Sequence, residues 1–166
     1  MADETADAVA REAAWLAQVD SLPALLKTAG GPFDDVHGYW PGNRLATQKT
    51  GVYVLRGHIS DDHPMAMRYR PQYVFKLKVI WPVKVSTAQL AETEQQNFDN
   101  AIGLLLQRIR GPVGDKTHGN RFLSVAETPM QGSVTVDFDD PEHTIPTTKE
   151  LRATVTYYAD DNEFTG

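Results

Sequence analysis

Two histidines, two aspartates and two arginines fall within the fifteen residues Gly57–Pro71, GHISDDHPMAMRYRP. Imidazole and carboxylate side chains at such density can ligate a metal ion or share a proton with a substrate. A metal site needs three or four ligands converging at roughly 2.0–2.2 Å from the ion. Here Pro64 biases His63 toward an extended backbone and the Asp61–Asp62 pair favours a turn. The spacing therefore reads as a polar connection between strands, with His58 at a strand end and side chains that splay outward. The other histidines, His37, His118 and His143, fall in separate loops without helical or close pairing. A metal-dependent hydrolase using residues 57–71 stays as an alternative reading, and no catalytic, cofactor-binding or metal-ligating residue is assigned.

Carboxylate pairs offer a second route to chemistry, since FDD occurs at 33–35 and again at 138–140. Acid–base catalysis by two carboxyls requires environments that push their pKa values apart, and neither segment has a neighbouring base or apolar run that would do so. The sequence contains no G-x-S-x-G elbow, no phosphate-binding glycine loop before a helix and no H-E-x-x-H. Arg68 and Arg70 flank Tyr69, which reads either as a surface hairpin arm with nothing bound or as a partner contact, such a grouping being enriched at protein interfaces. Lys76 and Lys78 lie two apart in a strand pattern, either solubilising that face or set to meet another subunit's acids. These five residues are the candidate subunit or partner interface.

The chain has 166 residues, enough for one domain with its own core, read here as 1–166 with loose acidic ends. Cysteine is absent, which removes disulfides, cysteine-based zinc sites and thiol nucleophiles. The acidic N-terminus MADETADAVAREAAW lacks the basic start and apolar centre of a signal peptide, and no apolar run reaches bilayer-spanning length, so a cytoplasmic origin is expected. Charge is unevenly spread: residues 1–35 hold seven acids and two bases, 36–136 seven and twelve, and 137–166 eight and two. Acidic flanks around a basic middle suit contact between copies. With a pI near 5.3 and no dense basic stripe, specific nucleic-acid binding is not expected.

The elements that must carry these residues follow from periodicity. Thr5 to about Val19 predicts a helix with Val9, Ala13, Leu16 and Val19 near one face. LPALLKTAGG adds a short turn, and the Gly- and Pro-rich run to Gly51 predicts a loop pinned by Phe33, Tyr39 and Trp40. Gly51–Ile59 and Gln72–Trp81 predict an antiparallel hairpin. In the second strand Tyr73, Phe75, Leu77, Val79 and Trp81 share a core face. Ser86 and Gln89 form a capping-box pattern before a long helix to about Arg110. Its apolar stripe is Leu90, Phe98, Ile102, Leu105 and Ile109, with Glu92, Glu94, Gln95, Asp99 and Arg108 facing away. Strands are expected at 121–127, 133–138 and 151–158. The order predicts an α+β fold: a mostly antiparallel sheet, a long helix packed across one face, and an N-terminal helix.

In order and texture this pattern resembles the tail terminator, or tail-completion, proteins of long-tailed bacteriophages. A leading helix ends in the LPALLKTAGG type of segment and a loop leads to GVYVLRGHI. The strand YVFKLKVIW passes directly into STAQLAETEQQNFDNAIGLLLQRIRG, and ELRATVTYYADD resembles the closing strand of the family. The resemblance covers about Ala13 to Asp161. It implies a structural virion protein, without catalysis or cofactor, assembled in the host cytoplasm and located in the tail and neck. It would form a homo-oligomeric ring, usually a hexamer, on the finished tail tube. Its partners would be the tail tube protein and the head–tail connector or stopper, with DNA passing through the lumen unbound. The closest alternative is another neck component, such as a head-closure protein. A lumen that passes DNA should repel phosphate, and Asp139, Asp140, Asp160 and Asp161 are the candidate lumen-facing acids.

Overall fold

A computed structural model describes residues 2–17, 32–40, 50–65, 68–83, 88–110, 118, 122–125, 134–140 and 150–161. Their elements are α1 (Ala2–Ala17), β1 (Asp35–His37), β2 (Gly51–Met65), β3 (Arg68–Pro82), α2 (Ala88–Arg110), β4 (Phe122–Val125), β5 (Val134–Phe138) and β6 (Glu150–Asp161). The strands form one sheet in the order β1-β2-β3-β6-β4, with β5 also paired to β6. Only the β1–β2 ladder is parallel; the others are antiparallel. The fold is α+β with a long helix and an N-terminal helix.

The two-residue strand period sorts the sheet into two faces. Val52 and Val54 of β2, Tyr73 to Trp81 at alternate positions of β3, and Leu151 to Ala159 at alternate positions of β6 are buried in one cluster. Into that cluster α1 sends Ala8, Val9, Ala13, Trp15 and Leu16, and α2 sends Phe98, Ala101, Ile102, Leu105 and Ile109. Both helices thus occupy the same side. On the other face, exposed Lys76 and Lys78 alternate with the core residues of β3, and Lys78 Nζ donates to Thr154 Oγ1 at 2.9 Å.

Several expectations shift. The 18–31 segment, including LPALLKTAGG, lies outside the described residues, as does Ser86 of the capping pattern. The expected loop before Gly51 contains β1, docked beside Gly51–Tyr53. Two backbone donations, from Asp34 and Asp35 to the Thr50 carbonyl, hold its entry. Phe33 pins this stretch as expected, edge-on to Trp81, but Tyr39 and Trp40 are 60% and 44% exposed. In α2, Leu90 is exposed rather than in the stripe, a turn before the half-buried Glu94 that accepts from Trp81 Nε1. Arg108 does not face away: it is buried, because the end of α2 meets α1 there. β6 runs to Asp161, so Asp160 and Asp161 belong to the sheet and not to a loose tail.

Candidate functional site

The described parts of Gly57–Pro71 are strand and not a polar loop. β2 and β3 remain paired from Gly51↔Ile80 out to Met65↔Arg68, so His58, Asp61 and Asp62 are strand residues. One irregularity lies between Arg56 and His58, where the register slips by a residue. Gly57 permits it: a Cβ there would sit 2.9 Å from the Val74 carbonyl oxygen. A slip of this kind bends the strand and raises its twist. Past Gln72 the pairing of β3 with β6 ends, whereas its pairing with β2 continues through Pro71, Arg70 and Arg68. Beyond that point the described sheet narrows to a two-stranded ribbon. β1 covers only Gly51–Tyr53 of β2, so from Val54 outward the ladder gives β2 no second neighbour among the described residues.

The ribbon carries Arg68 and Arg70, opposite Met65 and Asp62 respectively, with Tyr69 between them in the strand. Lys76 and Lys78 stand farther back on the open face, opposite Leu55 and Tyr53. The two groups therefore occupy one strand but different parts of the molecule. Asp139 and Asp140 follow β5 and are exposed, with the Asp139 amide donating to the Arg152 carbonyl at 3.0 Å. Asp160 is paired on both sides, with Gln72 and Ser124, and Asp161 pairs with Phe122. These four acids do not form one loop cluster. Among the described residues, no three His, Cys, Asp or Glu come together as a metal site.

At the β1 edge an aromatic group sits on the open face. Tyr53 alternates with the core residues Val52 and Val54, and its ring folds back over Gly51, where a Cβ would lie 2.8 Å from the phenol oxygen. Trp40 meets Tyr53 edge-on at 5.4 Å between centroids, and Tyr39 lies 5.0 Å from His37. At the opposite edge, Phe138 of β5 is 55% exposed and packs edge-on against Phe98 of α2, on the helix side.

The most concentrated polar chemistry among the described residues lies where the sequence gives no sign of it. His118, expected as an isolated loop histidine, is fully buried with a left-handed backbone, φ 48°. Its Nε2 is 2.6 Å from the Ile109 carbonyl and its Nδ1 is 2.9 Å from Glu12 Oε2. The carbonyl can only accept, so Nε2 carries a hydrogen, and a further proton must lie between Nδ1 and the Glu12 carboxyl. The Tyr157 hydroxyl donates to the other Glu12 oxygen. Burial, then the Glu12 charge and this bond, push the Tyr157 phenol well above its ordinary pKa. Trp15 stacks on the His118 ring at 3.7 Å, Arg108 lies over Trp15 at 3.9 Å, and the Arg108 guanidinium donates to the Trp15 carbonyl at 2.7 Å.

This set ties α1, the end of α2, the turn at His118 and β6 into one unit. Glu12 and His118 are both 0% exposed, so the set links elements inside the fold. Only a helix-period reading of Glu12 beside Val9, Ala13 and Leu16 could have flagged an acid on the core face. The chain matches no protein-family model and no curated protein.

Proposed function

We propose that this chain is a structural subunit of a long-tailed phage, closing the finished tail tube as a ring and forming the surface that joins the head connector. The observation that carries this reading is the β2–β3 ribbon, which outruns the rest of the described sheet; among the described residues β2 has no second strand neighbour from Val54 outward. A two-stranded ribbon is marginal alone in water, and an open edge invites a partner chain. An assembly protein gains from such an arm because a partner completes it. The resemblance of its element order to the terminator family, read from the sequence, points the same way. So does the buried Glu12–His118–Tyr157 cluster, which joins α1, the end of α2 and β6 within the body.

The test adds purified protein to tail tubes polymerised in its absence. Ring-shaped density at one tube end, and an end to further growth, is the expected outcome. Protein that ignores tube ends but binds the portal side of filled heads would move it to the head-closure class. Binding to neither would remove the phage reading.

A further inference from the structure

We infer that two patches on opposite edges of the sheet are the two halves of one head-to-tail contact between copies of this chain; the inference rests on the ring reading and names its interface. The first patch is Tyr39 and Trp40, exposed on the open face at the β1 edge. Trp40 packs on Tyr53, whose cross-strand partner is Lys78, with Lys76 two residues along the same strand. That patch is aromatic and positive. The second is Phe138 with Asp139 and Asp140, exposed at the end of β5. That patch is aromatic and negative.

A single chain cannot bring them together. From β1 through β2, β3 and β6 to β5 is four interstrand steps, about 19 Å at roughly 4.8 Å each. They also lie on different sides: Phe138 contacts α2, whereas Trp40 lies on the face that carries Lys76 and Lys78. Two complementary but non-identical patches, pointing different ways, make a heterologous contact, which closes into a ring when the rotation per subunit divides the circle. Tyr39, Trp40 and Phe138 are three of the four large apolar side chains exposed among the described residues. Burying them against one another also covers the lysines with the two acids. This assigns Lys76 and Lys78 to the neighbour contact, and moves Asp139 and Asp140 there from the channel wall.

Charge exchange tests it. The K76E/K78E and D139K/D140K variants each place like charges across the contact and should lower self-association at least tenfold by light scattering. The chain carrying all four changes, and an equal mixture of the two double variants, should both recover it. Double variants that associate like the wild type, or a fourfold variant that does not recover, overturn the inference. Iodide quenching of the unaltered protein gives an independent readout, because Trp15 and Trp81 are buried and Trp40 is not. Trp40 should be quenchable in the monomer and protected on assembly. A ring in which Trp40 stays open to iodide removes this contact and leaves the ring reading intact. A chain that stays monomeric both alone and on tube ends removes both. Protected Trp40 in an assembly that ignores tubes keeps the contact and removes the tail role.

Discussion

At the scale of single residues, the Tyr157 hydroxyl reports on the core most directly. Its raised pKa means that the folded state favours the neutral phenol. The phenol's contribution to stability is complete below its unfolded pKa of about 10 and is lost as pH rises above that value. Urea unfolding across pH 8–11 should show stability falling above about pH 10. Y157F should fall less steeply there by one proton's worth. At pH 8 the same variant should be less stable by about 1–3 kcal/mol, because Glu12 loses a buried donor. Identical slopes in the two proteins would mean that Tyr157 does not govern the alkaline limb. Arg108 shows the same logic: at this helix position a charge is tolerated in the core because Trp15 supplies both a ring face and a carbonyl.

At the scale of elements, the β2–β3 ribbon depends on its bulge. G57A would press a methyl against the Val74 carbonyl. The contact can be relieved only by shifting backbone. We expect a loss of more than about 1 kcal/mol, read as a lower unfolding midpoint, with far-ultraviolet circular dichroism unchanged at low temperature. An unaltered midpoint would show that the ladder slips there without needing glycine. The elements were legible where period and length agreed. The alternation in β3 and β6 and the repeat of Phe98, Ile102, Leu105 and Ile109 each located a core face. β1 was not legible, because three residues of mixed character carry no period and exist as a strand only through Thr50 and the Gly51 register. The ribbon was misread as a loop because Asp61, Asp62 and Pro64 are poor strand formers by local preference. Cross-strand pairing overrides that preference. The His118 site was invisible for a related reason: its partners are 9, 106 and, through Glu12, a further 145 residues away.

At the scale of the molecule, both described helices lie on one face of the sheet, and the other face carries Lys76 and Lys78 with Thr154, and the buried Tyr53 and Ile80. A contact built from opposite charges around an aromatic centre should respond to salt in a limited way. The screening length shrinks from about 10 Å at 0.1 M to about 3 Å at 1 M. Across that range self-association should weaken several-fold without vanishing, since the aromatic burial remains. Light scattering in a salt series measures it directly. Complete insensitivity would argue that the lysines and acids do not meet.

The position of β6 carries a consequence for synthesis. It follows every other described strand in the chain, yet it pairs with β3 on one side and with β4 and β5 on the other. Until it leaves the ribosome, β3 has only β2 as a strand partner among the described residues, Glu12 lacks Tyr157, and Asp139 lacks the Arg152 carbonyl that it donates to. Translation proceeds at about 5–20 residues per second, so early-made parts wait seconds for the strand that joins them. A chain still being made therefore lacks the finished β5–β6 edge on which the inferred contact depends. On the contact inferred above, association between half-made copies would wait for β6.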